Sequence, residues 1–277
     1  MTIPAFGTYA LPPSHEHWRQ RASAFGDTTL GRWGISLCRK LALRGQSEPF
    51  DVNIDDGIKA RLYPSGNRCE KRAFAGVQIW DAPERQALRN TVKNSDKSRP
   101  FVFVDVGANV GLYSLYAQAY ARAAGRETRI LAIEPGHEVA QRLIVNAAFN
   151  GASIEHVPVA ISDIAGRAYL SMPSTNRGEA QLSERGLEVD VQTLEQVCRV
   201  AKLSYIDAMK VDIEGHDEKA LQAFFKAAPA ALHPRLLIVE TGRQEEASPL
   251  IALCQSNDYM VTARCGLNTL FEKVSHV

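Results

Sequence analysis

Apolar and polar positions alternate in regular blocks through the last two thirds of this chain, from residue 101 onward. Short, nearly continuous apolar runs predict buried strands, and longer segments with apolar positions three or four residues apart predict helices. The predicted strands are residues 101–106, 130–133, 156–161, 206–211, 236–239, 259–264 and 269–272, and the predicted helices are residues 113–124, 139–150, 218–228 and 249–256. Apolar strands that alternate with helices predict an α/β fold with a mainly parallel sheet covered on both faces.

The N-terminal part of the chain has different patterns. Apolar residues between 14 and 44 have roughly helical spacing, which predicts helices in this segment. Glycines interrupt the spacing, and they are expected to break the helices, at Gly26, Gly31 and Gly34. Residues 50–54 and 58–63 alternate in polarity around an Asp-Asp-Gly turn, which predicts a β-hairpin.

A polar stretch at residues 93–100 separates these patterns from the regular blocks that follow. The sequence therefore predicts an N-terminal helical and hairpin region, residues 1–92, and a larger domain, residues 93–277. The N-terminal region is a candidate substrate cap.

The composition is that of an ordinary globular protein, with 277 residues, 45% of them hydrophobic, and a net charge of +1. Because the charge is nearly balanced, no nucleic-acid partner is expected. Five scattered cysteines without a C-x-x-C pair predict reduced thiols and a cytoplasmic location. Neither a secretory leader nor a spanning apolar run is recognisable, so no membrane partner is expected. The oligomeric state stays open, with a homodimer as one option.

Several conspicuous side chains have ordinary interpretations. The tryptophans are expected to pack in the core or between regions, and they are Trp18, Trp33 and Trp80. The Arg and Lys residues between 19 and 44 are expected to form a solvated helix face. Arg68, Lys71 and Arg72 form a small basic cluster that could meet an anionic substrate.

The strongest chemical signal is a glycine-containing loop after the first predicted strand of the larger domain, Asp105-Val-Gly-Ala-Asn-Val-Gly111. Gly107 and Gly111 allow a tight turn and a close approach of the backbone to a ligand. The dinucleotide fingerprint G-x-G-x-x-G needs glycine where Asn109 stands, and Asp105 would repel a pyrophosphate. An acid at this point suits S-adenosylmethionine better, because that cofactor carries an ammonium and a sulfonium and no phosphate. A tight strand-to-helix turn without a ligand is the simpler alternative.

Two further acids follow later strands. Glu134 stands 23 residues after Gly111, at about the separation at which an acid accepts hydrogen bonds from ribose hydroxyls. Asp163 ends the third strand and could accept a hydrogen bond from an adenine amine, although, taken alone, it is better explained as a turn residue before Ala165-Gly166.

These segments together resemble the FkbM family of S-adenosylmethionine-dependent methyltransferases over about residues 101–273. The matching motifs are Asp105–Ser114, Ile133-Glu134-Pro135, residues 146–150, Ala160-Ile-Ser-Asp163, residues 189–194, Met209–His216, Ile238-Val-Glu240 and residues 268–271. The resemblance departs at Leu194-Glu195, where the family commonly has Leu-Asp, and at Gly136-His137, where larger residues are frequent. The first 92 residues match only loosely, so substrate selection is expected there.

The resemblance implies a Rossmann-like class I fold, with seven mostly parallel strands and an antiparallel C-terminal strand. It further implies S-adenosylmethionine as cofactor and methylation of a hydroxyl on a small molecule, sugar or polyketide. The implied cofactor-binding residues are Asp105, Gly107, Ala108, Asn109, Gly111, Ser114, Glu134, Pro135, Ser162 and Asp163.

The candidate catalytic residues lie at the ends of two later strands. Lys210 and Asp212 point the same way because side chains alternate along a strand, and Glu214 and His216 follow at the turn. Glu240 ends the next strand. Asp212 or His216 could act as general base with Lys210 stabilising the developing alkoxide, or the acids could bind a divalent metal; we favour the metal-free version. The structural alternatives are a simple ion pair from Lys210 to Asp212 or Glu240, and a capping or solvent-facing role for His216.

Two other functions compete with methyl transfer. One is an NAD-dependent oxidoreductase, which Asp105 and Asn109 disfavour. The other is a methyltransferase-like domain that binds a partner without catalysis, against which the intact motifs argue.

Overall fold

The structure is a computed structural model that describes residues 3–171, 181–183, 186–242 and 248–274. Its helices are α1 Pro13–Arg21, α2 Thr29–Leu43, α3 Arg68–Phe74, α4 Ala82–Asn94, α5 Leu112–Ala123, α6 His137–Phe149, α7 Leu194–Val200, α8 Asp217–Ala227 and α9 Pro249–Gln255. Its strands are β1 Phe50–Asn53, β2 Lys59–Leu62, β3 Phe101–Val106, β4 Thr128–Ile133, β5 Ile154–Val157, β6 Ala160–Ile161, β7 Gly166–Ser171, β8 Gln181–Ser183, β9 Leu187–Gln192, β10 Ala208–Val211, β11 Leu236–Glu240, β12 Tyr259–Cys265 and β13 Asn268–Lys273.

The central sheet has seven strands in the order β12-β13-β11-β10-β3-β4-β5. Strands β11, β10, β3, β4 and β5 pair in parallel, and β13 pairs antiparallel with both β11 and β12. This arrangement confirms the predicted α/β fold with antiparallel C-terminal strands. The strand order reverses at β3, because β4 and β5 lie on one side of it and β10 to β13 lie on the other. The loop after β3 therefore opens into a crevice at the carboxyl edge, where such sheets bind ligands.

Both faces of the central sheet are buried, as its apolar strands predict. Along β3, Phe101 and Phe103 enter one apolar cluster, with Tyr116 of α5, while Val102 and Val104 enter another. Since successive side chains of a strand point to opposite faces, the two clusters are the two layers around the sheet.

The third predicted strand is wrong in one respect, because residues 156–161 do not form a single strand. Strand β5 ends at Val157, and β6 belongs to a separate four-stranded sheet in which it pairs in parallel with β9. Pro158 lies between them and has no N–H to donate to a ladder, and Val159 N donates to Val157 O at 3.0 Å in a tight turn.

The N-terminal region contains α1 to α4 and the predicted hairpin, whose strands β1 and β2 pair with Phe50 opposite Leu62. Its buried residues share one apolar cluster with the central sheet, including Ile35, Phe74 and Leu88. Helix α4 was not predicted; it reaches Asn94 and therefore crosses residue 92, and the boundary between two domains stays a prediction.

Two expectations for α2 are wrong. The helix continues through Gly31 and Gly34. The lack of a side chain at these positions lets neighbouring groups approach the helix closely. A Cβ on Gly31 would lie 2.0 Å from the carbonyl oxygen of Gly26, and a Cβ on Gly34 would lie 2.5 Å from the ring of Phe25. Trp33 does not pack in the core but is 77% exposed, whereas Trp80 is buried as expected. Among the helices of the described ranges, none has the length and apolar character needed to cross a bilayer.

Candidate active site

A cleft opens at the carboxyl edge of β3, β4 and β10, with about 580 Å³ of space that is continuous with solvent. One part of its wall is apolar and contains Ile133, Val139, Val159, Ile161 and Leu170. The predicted site residues in its wall are Gly107, Glu134, Pro135, Asp212, Glu214 and His216. The remaining predicted residues lie behind or beside the wall, and they are Asp105, Ala108, Asn109, Gly111, Ser114, Ser162, Asp163, Lys210 and Glu240.

Gly107 is held between the ends of two neighbouring strands. Its φ is +78°, and a Cβ at this position would lie 1.9 Å from the backbone oxygen of Asp212. The backbone N–H groups of Gly107 and Ala108 both donate to the carbonyl oxygen of Ile133 at 3.0 Å. The turn therefore needs glycine both for its backbone conformation and for the space beside β10.

Asn109 fixes the next part of the loop by its side chain. Its φ is +51°, in the left-handed region that asparagine tolerates well. Its side-chain oxygen accepts hydrogen bonds from Val110 N at 2.9 Å and from Nδ2 of Asn67 at 2.7 Å. Asn67 comes from the N-terminal region, so this region contacts the loop directly.

Asp105 supports the loop from behind the cleft wall. Its Oδ2 accepts hydrogen bonds from the backbone N–H of Ser114 at 3.1 Å and from the Ser114 hydroxyl at 2.7 Å. Burial raises the pKa of Asp105, although the charge of Lys210 and the Ser114 hydrogen bonds act in the opposite direction. The observed role of Asp105 is to anchor the start of α5, and direct contact with a ligand stays a prediction.

Glu134 presents a carboxyl group to the cleft. Its Oε2 accepts a hydrogen bond from Asn109 N at 2.9 Å, and its Oε1 accepts one from Gly136 N at 2.8 Å. Burial raises the pKa of Glu134 to about 7 despite these two hydrogen bonds. Each oxygen keeps a second lone pair, so both can still accept a hydrogen bond from a ligand hydroxyl.

Ser162 contacts two other predicted site residues on the side of the cleft next to the four-stranded sheet. Its hydroxyl donates to Oδ1 of Asp163 at 2.9 Å and lies 3.5 Å from Nδ1 of His216. The hydrogen bond from Ser162 lowers the pKa of Asp163, which is an exposed side chain. His216 thus reaches the cleft wall beside residues from the other sheet.

Lys210 and Asp212 form an ion pair, with 2.6 Å between Nζ and Oδ2. Lys210 is buried, and its ammonium lies 5.0 Å from the centre of the Tyr113 ring. Burial would lower the pKa of Lys210, but the charges of Asp212 and Asp105 raise it. Asp212 is 31% exposed, so the lysine is enclosed behind an aspartate that faces the cleft.

Asp212 and Glu240 each change the pKa of the other. Burial, the hydrogen bond to Asp212 and the charge of Asp212 raise the pKa of Glu240 to about 8. With its pKa raised in this way, the Glu240 carboxyl can hold a proton and donate it to the carboxylate of Asp212. Burial alone would raise the pKa of Asp212, but Lys210 and Glu240 outweigh it and lower that pKa. The predicted adjacency of the two strand ends is present, since Val211 pairs with Val239.

A metal ion has one candidate set of ligands among the described residues. Carboxylate oxygens of Asp212, Glu214 and Glu240 lie within 4.8 Å of one another. The ammonium of Lys210 already neutralises Asp212 at 2.6 Å, so a cation is present at this edge without a metal.

Two residues of the site were missed from the sequence. Asp217 holds the turn after β10, since its carboxylate accepts hydrogen bonds from Ile213 N and Gly215 N, both at 3.1 Å. An acid in the first turn of a helix after a glycine is a signal that could have identified it. Asp81 accepts a hydrogen bond from the hydroxyl of Tyr113 at 3.0 Å, a contact between distant residues for which the sequence has no local signal.

Comparisons with known proteins identify the family and support the fold. A family model described as the methyltransferase FkbM domain matches residues 105–261, which is more than half of the chain. The methyltransferase domain of METTL16, in a second crystal form, has a TM-score of 0.51 at 11% identity and covers 96% of this chain and 98% of that one. The N-terminal domain of human METTL16 has a TM-score of 0.50 at 12% identity and covers 98% and 97%. No curated protein matches. At such identities the two structural likenesses concern the fold alone.

Proposed function

Because the chain belongs to the FkbM methyltransferase family, we propose that it is an S-adenosylmethionine-dependent O-methyltransferase. Its acceptor would be a hydroxyl group of a small molecule, sugar or polyketide. The proposal has three parts: the cofactor is S-adenosylmethionine, a carboxylate of the cleft accepts the proton, and no metal is needed.

The observation that carries the proposal is the charge of the cleft. The described residues of its wall include Glu134, Asp212 and Glu214, and none of them is Lys or Arg. A pyrophosphate needs cations or free backbone N–H groups, whereas an ammonium and a sulfonium are attracted by carboxylates. The wall therefore supports S-adenosylmethionine over a nicotinamide dinucleotide.

The carboxylates and the apolar wall of the cleft suit the same cofactor, since ligand sites combine apolar walls with a few polar groups that fix the orientation of the ligand. Glu134 would accept hydrogen bonds from the ribose hydroxyls, and the apolar wall beside Val139 and Ile161 would contact the adenine ring. Ser162 and Asp163, at the rim, would meet the exocyclic amine. When bound, the cofactor supplies a sulfonium methyl group as the electrophile.

Asp212 is the proposed general base. An acceptor hydroxyl that donates to its carboxylate is held by a group whose position Lys210 fixes at 2.6 Å. As the methyl carbon bonds to the acceptor oxygen, the O–H proton becomes strongly acidic, so even a carboxylate of low pKa can take it. The reaction then needs mainly alignment of the acceptor behind the methyl carbon.

The neighbouring groups have supporting roles in this proposal. Lys210 keeps Asp212 ionised and oriented from its buried position. Glu240, whose raised pKa lets it hold a proton, would donate to Asp212 and leave its other oxygen for the acceptor. Glu214 and His216 line the same side and would contact the acceptor. No metal is required, because Lys210 already supplies the positive charge.

The experiment is isothermal titration of the purified chain with S-adenosylhomocysteine, S-adenosylmethionine and NAD. We expect binding of both adenosyl ligands and none of NAD, and a Glu134→Ala variant should bind the adenosyl ligands at least about tenfold more weakly. Glu155→Ala, an exposed acid on the neighbouring strand β5, is the matched control and should bind normally. Binding of NAD alone would support an oxidoreductase. Binding of none of them would support a non-catalytic domain.

A further inference from the structure

An exposed row of side chains runs along the outer face of α2. Leu30, Trp33 and Leu37 are 83%, 77% and 57% exposed. They are three and four residues apart, as is the exposed Lys40 that continues the row, so these four lie on one face of the helix, and the exposed Arg44 follows in line as the residue that caps its end. We name these five residues the outer α2 face.

The outer α2 face is not part of the apolar core. The inner side of α2 already buries Ile35, Cys38 and Ala42 in the core shared with the central sheet. A large aromatic and two leucines in an exposed row are unusual, since contiguous apolar surface on a folded chain commonly marks an interaction site.

The charges of the outer α2 face are positive, because Lys40 and Arg44 are exposed and none of its five residues is Asp or Glu. Of the two other basic residues between 28 and 47, Arg32 pairs with Asp27 at 2.5 Å. Arg39 of α2 donates to the carbonyl oxygen of Ala75, just after α3. Arg39 lies on the same side of α2 as the buried Ile35, so this contact is on the inner side of the helix, and the cations of the outer face are Lys40 and Arg44.

We propose that the outer α2 face docks on the surface of a membrane that contains anionic lipid. Trp33 and the two leucines would enter the boundary between headgroups and acyl chains, where tryptophan is favoured. Lys40 and Arg44 would remain at the level of the anionic headgroups. The combination of a short apolar row and adjacent cations matches such a surface in both polarity and charge.

A second copy of the chain is a poorer partner for this face. A two-fold contact brings the same patch of both copies together, so it would enclose Lys40 and Arg44 of each copy in an interface where the outer α2 face supplies no acid to pair with them. Three apolar side chains also offer less area than the roughly 800 Å² per partner of a stable interface.

A nucleic acid is a poorer partner for a different reason. Single-stranded nucleic acids are bound by several aromatic side chains that stack on successive bases. The outer α2 face has one aromatic residue, and Leu30 and Leu37 offer no stacking surface.

This inference departs from the expectation that the protein has no membrane partner. That expectation depended on the lack of a recognisable leader and of a spanning apolar run. Neither property describes a local surface. In addition, Trp33 was expected to pack, whereas it is exposed in a row with Leu30 and Leu37.

The test is cosedimentation of the full chain with vesicles of phosphatidylcholine alone or mixed with phosphatidylglycerol. We expect binding to the mixed vesicles that falls as salt increases, and weak binding to the neutral ones. Trp33→Ala should lower the partition coefficient at least about tenfold. The double variant Lys40→Glu, Arg44→Glu should lower it at least about 25-fold, since each removed cation is worth about fivefold.

The matched control is Val200→Ala, which truncates a 72% exposed apolar residue on α7 and should leave vesicle binding unchanged. Circular dichroism of each variant checks that it folds. Three outcomes would overturn the proposal: wild-type chain that ignores anionic vesicles, equal binding by wild type and Trp33→Ala, or binding of an RNA oligonucleotide in preference to vesicles. Loss of self-association in Trp33→Ala, measured by analytical ultracentrifugation, would instead assign the face to a second copy.

Discussion

The hydroxyl of Tyr113 donates a hydrogen bond to the carboxylate of Asp81, with 3.0 Å between the two oxygens, and this contact joins the N-terminal region to the proposed active site. Tyr113 begins α5 after the glycine loop, and its ring lies 5.0 Å from the ammonium of Lys210. Asp81 has a φ of +46° at the start of α4, and its side chain makes no capping bond to that helix. This backbone conformation therefore places the Asp81 carboxylate where it accepts the hydrogen bond from Tyr113 and attracts the charge of Lys210.

Asp81→Asn should lower methyl transfer by about tenfold with little effect on cofactor affinity. The change removes one of the negative charges around Lys210, and a loss of roughly 1.4 kcal/mol in the transition state corresponds to a factor of ten. Steady-state kinetics across pH, with isothermal titration for the cofactor, measures both quantities.

The matched control for Asp81→Asn is Asp56→Asn. Asp56 is also an aspartate with positive φ, at +53°, but it pairs with Arg89 away from the cleft. If both variants lose the same activity, the effect is a general response of the N-terminal region and Asp81 has no positioning role.

Asp212→Ala should abolish methyl transfer, with a loss of at least about 100-fold, while cofactor binding is largely kept, because Glu134 and Glu214 remain in the wall and the charge of Asp212 is already paired with Lys210. The reason is that Asp212 is proposed to act on the acceptor, and general bases typically contribute roughly 10² to 10⁴-fold. The assay is release of S-adenosylhomocysteine with a panel of hydroxylated acceptors. Glu218→Ala, an exposed acid on α8, is the control, and near-normal turnover in Asp212→Ala would reject the role.

Glu240 should make both stability and activity fall as pH rises. Its folded pKa of about 8 lies above the ordinary value of 4.5, so the folded state binds the extra proton. The stabilisation by that proton is fully present below about pH 4.5 and is lost as pH rises towards about 8. Above about pH 8 the ionised Glu240 would also repel Asp212.

Glu240→Gln keeps a hydrogen-bond donor but cannot ionise. Denaturant unfolding at several pH values should therefore show a smaller loss of stability for the variant than for the wild type across this window. The decline of turnover above about pH 8 should become shallower in the variant. Parallel pH curves for the two proteins would contradict the assignment.

The sheet and the conformation of the glycine-containing loop could be predicted because they depend on local patterns. The runs of β3 and β10 are apolar throughout, and the acid Glu134 follows its strand at the expected spacing. Lys210 and Asp212 could be placed together because residues two apart on a strand share a face. What could not be predicted depends on packing between distant segments. The Asp81 contact joins residues 32 positions apart, and the exposure of Trp33 depends on which side of α2 faces the core.

Metal removal should leave the activity unchanged, because Lys210 supplies the positive charge beside Asp212. Turnover before and after dialysis against EDTA should agree, and added Mg²⁺ should have no effect. Lys210→Met should lower turnover at least about tenfold and should not be rescued by Mg²⁺, whereas Lys226→Met, an exposed lysine on α8, should be neutral. Loss of activity in EDTA with recovery in Mg²⁺ would instead assign Asp212, Glu214 and Glu240 as metal ligands.

Gly107→Ala should destabilise the protein and weaken cofactor binding more than conformational strain alone explains. Gly107 has positive φ, so any side chain costs roughly 1 to 2 kcal/mol, and the new Cβ would also lie 1.9 Å from the oxygen of Asp212. Gly125→Ala separates the two effects, because Gly125 has a similar φ of +65° and no atom within 4 Å of the added Cβ. Urea unfolding should give the strain alone for Gly125→Ala and a larger loss for Gly107→Ala. Titration with S-adenosylhomocysteine should show weaker binding only for Gly107→Ala, since only this change moves the loop away from the carboxyl edge of β10. Equal losses in the two variants would mean that the loop can shift without disturbing the site.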